Sequence, residues 1–172
     1  MSATPISKSP FWQFSVKFYA EPGVAQACID LQDQASVDVN ILFFLLWSAT
    51  QNRALGNSEV AELERDIGPW RDMAVVPLRN VRRALKAPPA VMAPQDAEGF
   101  RTRIKAVELE AERLQQEAMY GLAQSGRIGR QALSKMEAAR ASVEAYQAVL
   151  RPFPGGPLDI VLSAFAKFQT PV

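Results

Sequence analysis

Histidine is absent from this 172-residue chain, and Cys28 is its single cysteine. Without histidine there can be no Ser-His or Cys-His nucleophile pair, no histidine metal ligand and no imidazole proton shuttle near neutral pH. A single cysteine excludes an intramolecular disulfide and a cysteine-based zinc site. We also find no decisive catalytic or cofactor motif. The sequence therefore favours a non-enzymatic protein, with no metal and no cofactor expected.

Charge excess and long apolar runs are also missing. The formal net charge is +1, so the whole chain has no long-range attraction to nucleic acid or to an anionic membrane, and nucleic-acid binding is not expected. The longest apolar run, Val39–Ala49, has 11 residues, whereas a membrane span takes about 20. The start, Met1–Lys8, lacks the basic and apolar regions of a secretory signal, so we expect a cytoplasmic protein.

The apolar residues recur at helical spacing along most of the chain. Ser9 and Pro10 predict the start of a first helix, and Val39–Ala49 predicts a central helix buried on all sides, capped by Ser36 or Asp38. No segment shows the alternation of a strand. We therefore predict an all-α, compact helical bundle of six to eight helices, including a C-terminal helical hairpin at residues 96–150.

The clearest amphipathic pattern follows residue 96. Its apolar residues recur at alternating steps of four and three, as in a helix–helix seam, and they either pack within the bundle or contact another chain. They are Phe100, Ile104, Val107, Ala111, Leu114 and Ala118.

Glycine and proline divide the chain. Gly68-Pro69 predicts a break, and Pro77 predicts a kinked or divided helix over Trp70–Ala87. The prolines within Pro88–Gln95 predict a linker. We expect an N-terminal helical bundle at 1–87, this linker at 88–95, and a hairpin with a short final helix at 96–172, all packed as one domain.

Several short motifs in the first half resemble an uncharacterised family of small proteobacterial proteins, domain-of-unknown-function family 2390. They are Phe11-Trp12-Gln13-Phe14-Ser15, Tyr19-Ala20, Pro22-Gly23-Val24-Ala25, Ala27-Cys28, Leu31-Gln32-Asp33 and Asp38-Val39-Asn40-Ile41-Leu42-Phe43. The resemblance implies a compact bacterial protein and carries over no activity, cofactor or catalytic residue. Ala35-Ser36 stands where the family pattern is expected to have a glycine.

A basic helical face is the first candidate site. Arg79, Arg82, Arg83 and Lys86 follow at i, i+3, i+4 and i+7 and so share one face, with Arg71 upstream. Residues 69–105 carry 8 basic and 3 acidic side chains, whereas residues 1–68 carry 4 basic and 8 acidic. This face could bind an acidic partner, a phosphate or a carboxylate; alternatively it is solvated or pairs with the acidic half of the chain.

Polar residues before the central helix form the second candidate site. Asp38 and Asn40 must find hydrogen-bond partners if they are buried, and the simplest interpretation is helix capping with internal bonding. Alternatively, Asp38 together with Asp30 or Asp33 lines a ligand pocket beside Arg71 or Arg79. Asp30 and Asp33 have the i, i+3 spacing of two carboxylate ligands, which alone is a weak indication of a metal site.

Two functions remain open on the sequence alone. The first is a non-enzymatic adaptor or regulatory protein that binds a cytoplasmic protein, or a second copy, through the basic face and the hairpin. The alternative is a binding protein or enzyme for an anionic small molecule, phosphate- or acyl-bearing, in a helical cavity. The adaptor requires exposed arginines, whereas the pocket requires at least two arginines turned inward beside Asp38.

Overall fold

The computed structural model describes residues 8–126 and 128–168, so the expectation about the chain start, apart from Lys8, lies outside the described residues. The predicted all-α class is confirmed. Eight α-helices lie in the described part of the chain, with one π-helical segment and two very short strands. In order they are α1 (Pro10–Tyr19), α2 (Val24–Ala35), α3 (Val39–Ala49), β1 (Arg53–Ala54), α4 (Asn57–Trp70), the π segment (Arg71–Val75), α5 (Val76–Ala84), α6 (Pro94–Ser125), β2 (Arg130–Gln131), α7 (Lys135–Val149) and α8 (Gly155–Phe168).

Helix α3 is the centre of the bundle, as its all-round apolar sequence predicts. Asp38 is its N-cap: one carboxylate oxygen accepts hydrogen bonds from the backbone amides of Asn40 at 2.9 Å and Ile41 at 3.3 Å. Helices α1, α2, α6 and α7 pack around α3, so that every residue from Ile41 to Leu46 is buried. The predicted cap and the predicted burial are both confirmed.

Helices α1 and α8 add an aromatic layer to this core. The Phe18 ring is fully buried and meets the rings of Phe43, Phe165 and Phe168 at centroid distances of 5.2, 6.2 and 5.6 Å. Ser9 starts α1 as predicted, since its hydroxyl oxygen accepts a hydrogen bond from the Trp12 amide at 3.1 Å. Because α8 also packs on α2, the first and last helices described both contribute to the same core.

The predicted break at Gly68-Pro69 is wrong. Helix α4 includes both residues and continues through the π segment into α5, which makes one continuous helical rod from Asn57 to Ala84. Pro77 is the reason for the local change: its ring crowds the preceding turn of a regular helix, and a wider turn relieves that clash. In this wider turn the Val76 amide donates to the Arg71 carbonyl, five residues earlier.

One small pair of strands is an exception within the all-α fold. Strands β1 and β2 pair antiparallel over two residues each, with Arg53 opposite Gln131 and Ala54 opposite Arg130. Gly129 precedes β2 with a φ of +77°, and a Cβ atom there would lie 2.9 Å from the Ala54 carbonyl oxygen. This short, turn-dependent pairing leaves no alternating pattern in the sequence.

Helices α6 and α7, predicted to form a hairpin, pack chiefly on helices of the N-terminal half and not on each other. Helix α6 lies along α5 and the π segment, whereas α7 lies along α3 and α4.

Ser36, the residue that follows α2, has a left-handed φ of 57°. This conformation favours glycine, which gives a local reason for the glycine expected at Ala35-Ser36. None of the helices described is long and apolar enough to cross a membrane.

We predict that Phe18→Ala lowers the free energy of unfolding by about 3–5 kcal/mol, because it empties the centre of the aromatic layer. Val16→Ala on the same helix changes an exposed side chain and is expected to alter stability by less than about 0.5 kcal/mol. Urea denaturation of both variants measures the difference. Equal losses would contradict the assignment of Phe18 to the core.

Candidate functional site

The π segment turns Arg71 toward the N-terminus of α3. The guanidinium Nη1 donates to a Glu64 carboxylate oxygen at 2.8 Å and to an Asp38 carboxylate oxygen at 3.4 Å, and Nε donates to Asp72 at 3.0 Å. Single π turns inside α-helices are frequent at functional sites. Arg71 and Asp38, which the alternative interpretation of the sequence places beside one another in a pocket, therefore lie together.

Asp38 and Asn40 belong to a buried chain of side-chain hydrogen bonds with α6. Gln115 donates from Nε2 to Asp38 at 2.7 Å and accepts from the Asn40 amide group at 3.3 Å. Gln116 donates from its side-chain Nε2 to the side-chain Oδ1 of Asn40 at 2.7 Å, while its own Oε1 is buried without a hydrogen-bond partner. Burial raises the pKa of Asp38, although the Arg71 charge and the Gln115 hydrogen bond oppose this rise.

Tyr146 on α7 connects the same region to α4. Its hydroxyl accepts a hydrogen bond from the Asp38 backbone amide at 3.0 Å and donates to a Glu64 carboxylate oxygen at 2.9 Å. Burial, together with the nearby charges of Asp38 and Glu64, raises the pKa of Tyr146. Burial likewise raises the pKa of the Cys28 thiol to about 12. Neither group is therefore ionised near neutral pH, and neither is an activated nucleophile.

The predicted basic face is largely paired inside the protein. Arg79 donates to Glu108 at 3.0 Å and to Glu112 at 2.7 Å. Arg82 binds Glu108 with two nitrogens, and this hydrogen bonding raises the pKa of Arg82. The acidic partners of both arginines come from α6 and not from the acidic N-terminal half of the chain.

The last two basic residues of that face are more exposed. Arg83 donates to Asp33 on α2 at 2.9 Å, and Lys86 is exposed beyond the end of α5. Asp30 accepts a hydrogen bond from Gln26 at 2.9 Å. No three His, Cys, Asp or Glu side chains within residues 8–126 and 128–168 form a group that could hold a metal ion.

A cleft of about 360 Å³ lies between the end of α2 and the start of α3 on one side and the π segment and α5 on the other. Arg71, Arg79 and Arg83 line it, together with Asp33 and Asp38. The ion pairs at and beside the cleft join four guanidinium groups to six carboxylates. These carboxylates are Asp33, Asp38, Glu64, Asp72, Glu108 and Glu112. Because negative charge is in excess, an anionic ligand has to compete with groups that are already in place.

The outer side of α6 carries large apolar side chains, while its buried side combines polar side chains with small or core apolar ones. Phe100, Val107 and Leu114 follow at steps of seven and are 43%, 52% and 42% exposed. We call these three residues the outer row. The buried polar residues of α6 are Glu108, Arg113, Gln115 and Gln116, and Ala97, Ala111 and Met119 are buried with them. The pattern predicted as a seam therefore exposes most of its large side chains.

The rod of α4, the π segment and α5 lies beside α6. Half-buried Trp70 donates from its indole nitrogen to the Ala111 carbonyl oxygen of α6 at 2.9 Å. Met73 and Val81 on the same rod are 70% and 43% exposed.

Sequence reasoning missed the groups that neutralise the two candidate sites. On α6, Glu108, Glu112, Gln115 and Gln116 follow at steps of four, three and one, so a wheel plot shows them on one side of the helix. That polar clustering was the available signal. Tyr146 lies 108 residues after Asp38, and nothing in the local sequence indicated that its hydroxyl makes hydrogen bonds at the same site.

A comparison with protein families matches residues 10–119 to the family described as "Protein of unknown function (DUF2390)". The chain belongs to this family. The match confirms the resemblance and extends it past the first half of the chain through most of α6. Within this DUF2390 protein, the matched region contains Asp38, Arg71, Glu108 and Gln115, whereas Tyr146 lies beyond it. No curated protein and no solved structure matches the chain.

We predict that Tyr146→Phe lowers the free energy of unfolding by about 1–3 kcal/mol, because the Asp38 amide and Glu64 each lose a buried partner. Tyr120→Phe is the matched control, since the ring that packs 5.6 Å from Trp47 is kept. Chemical denaturation of both variants measures the loss. A Tyr146 variant as stable as the control would contradict the bridging role.

The raised pKa of Glu112 is expected to make the stability of the protein depend on pH. Burial and the charge of Glu108 raise this pKa above its ordinary value of 4.5, against the effect of Arg79. Folded protein therefore binds more protons than unfolded protein above pH 4.5, and wild-type stability falls as pH rises toward the folded pKa. We predict that Glu112→Gln removes this fall. The stability of the variant should therefore rise relative to that of wild type between pH 4.5 and the raised pKa of Glu112.

Glu110→Gln provides a control of opposite sign, because Arg113 lowers the pKa of Glu110. The contribution of Glu110 is present above pH 4.5 and is lost as pH falls through the lowered pKa. Denaturation series between pH 3 and 8 measure both effects, a range that spans the ordinary carboxyl values of about 4. Parallel curves for wild type and Glu112→Gln would contradict the raised pKa.

Proposed function

We propose that this protein is a non-enzymatic helical adaptor that binds another protein chain through the outer row of α6. The observation that carries this proposal is the orientation of α6, which buries Glu108, Gln115 and Gln116 while exposing Phe100, Val107 and Leu114. Full burial of side chains of this size contributes about 1.5–3 kcal/mol each. A second helix laid along the row would supply that burial.

The arginines have a positioning role in this proposal. Arg79 and Arg82 hold Glu108 from α5, and this contact keeps the polar side of α6 against the bundle. The hydrogen bond from Gln115 to Asp38 holds the same side of α6 against the N-terminus of α3. Both sets of contacts cross residues 88–95, so we infer that 1–87 and 96–172 pack as one domain. Exposed Lys86 remains available to an acidic group on a partner.

Binding of an anionic small molecule is the second candidate, because Arg71, Arg79 and Arg83 line one cleft beside Asp38. The ion pairs weigh against it. Each of these guanidinium groups already binds at least one carboxylate of the protein. A ligand would have to replace those carboxylates, whereas a partner on the outer row would displace only water.

We predict that a photo-cross-linking amino acid at position 107 forms adducts with another protein chain in cells, whereas the same amino acid at position 133 does not. Leu133 is a suitable control because it is 96% exposed and lies outside α6, just before the N-cap of α7. Leu114→Asp in the same chain is expected to abolish the adduct at position 107. Its melting temperature should stay near that of wild type, because position 114 is largely exposed.

Adducts of equal yield at positions 107 and 133, or adducts that survive Leu114→Asp, would overturn the adaptor proposal. Native mass spectrometry of the purified chain tests the second candidate. A small molecule that copurifies with wild type and is lost from Arg71→Ala would favour the cleft instead.

A further inference from the structure

We propose that the partner on the outer row is a second copy of this chain, with the two α6 helices antiparallel and crossing near Val107. This inference rests on the proposed use of α6 as a binding surface and names its occupant. It is carried by the symmetry of the row and by the charges on its exposed edge.

The outer row is symmetric about Val107. Phe100 lies seven residues before it and Leu114 seven residues after it, so large apolar side chains are equally spaced on both sides. A two-fold axis at Val107 places Phe100 of one copy toward Leu114 of the other, and the reverse, because both copies use the same patch. Such a patch is complementary to itself.

The charges beside the row have the opposite signs that this arrangement requires. Arg103 lies four residues before Val107, and Glu110 lies three residues after it. Both are exposed at the edge of the row: the Arg103 guanidinium lies 5.6 Å from the Phe100 ring centroid, and the Glu110 side chain is 54% exposed, although its carboxylate also accepts two hydrogen bonds from Arg113. In the antiparallel pair, Arg103 of each copy comes opposite Glu110 of the other. Complementary pairs of this kind select orientation and register.

The shape of α6 allows this contact. The helix has 32 residues and is therefore about 48 Å long, and the row occupies its middle. Half-buried Ile104 and exposed Ala118 extend the apolar contact on the same side of α6. Two helices crossing at Val107 would thus meet along a broad apolar surface with charged edges.

Sedimentation equilibrium and native mass spectrometry of the full chain test this inference. We expect a mass twice the 18.9 kDa of one chain at about 100 µM. Val107→Asp places a carboxylate at the crossing point and is expected to raise the dissociation constant at least about 30-fold. Leu133→Asp should leave the dissociation constant unchanged. Circular dichroism verifies that both variants are folded.

Charge reversal tests the orientation. We expect Arg103→Glu and Glu110→Arg each to raise the dissociation constant about 3- to 10-fold, and the double variant to return it to within about 2-fold of wild type. The double variant restores both contacts only where position 103 of one copy faces position 110 of the other.

A chain that stays monomeric at about 100 µM would overturn this inference. Face-specific adducts to a different protein at position 107 would then still support the adaptor proposal, so the two failures are distinguishable. A dimer that resists Val107→Asp would use another surface and would also overturn the inference. A dimer that is not restored by the double charge reversal would exclude the antiparallel register.

Discussion

The polar side of α6 must be paired inside the bundle, and the rest of the structure depends on this constraint. Glu108 is buried beneath Arg79 and Arg82, and Gln115 is buried between Asp38 and Asn40. A buried charge or amide without a partner costs several times more than a paired one, so α6 cannot rotate about its axis without breaking these contacts. The helix therefore presents its apolar outer row to the surface.

The π segment is what allows the rod of α4 and α5 to meet that constraint. A regular helix would carry the clash of Pro77 and would turn Arg71 away from its observed direction by the offset of one residue. With the wider turn, Arg71 reaches Asp38 and Glu64 while Arg79 and Arg82 reach α6. One local irregularity thus satisfies the polar groups of three helices.

Local patterns predicted the parts of the fold that depend on neighbours in sequence. The caps at Ser9 and Asp38, the burial of α3 and the all-α class follow from spacing and residue type, and the structure confirms them. The break at Gly68-Pro69 was predicted from the same kind of signal and is wrong, because the packing of α4 against α6 and α7 outweighs the local cost of Pro69 inside the helix. Strands of two residues are too short to leave a pattern.

The candidate sites were predicted as lists of residues without their partners. Arg79 and Arg82 stood out by spacing, but whether they meet solvent, a ligand or Glu108 depends on contacts across 26 to 29 residues of chain. Tyr146 reaches Asp38 from 108 residues away.

The sequence by itself determined that α6 has an apolar side and a polar side, because helical periodicity is local. Only the tertiary structure decided which side faces inward. It turned the polar side in because Asp38, Asn40, Arg79 and Arg82 find their partners there, and the opposite orientation of α6 would leave these groups without them.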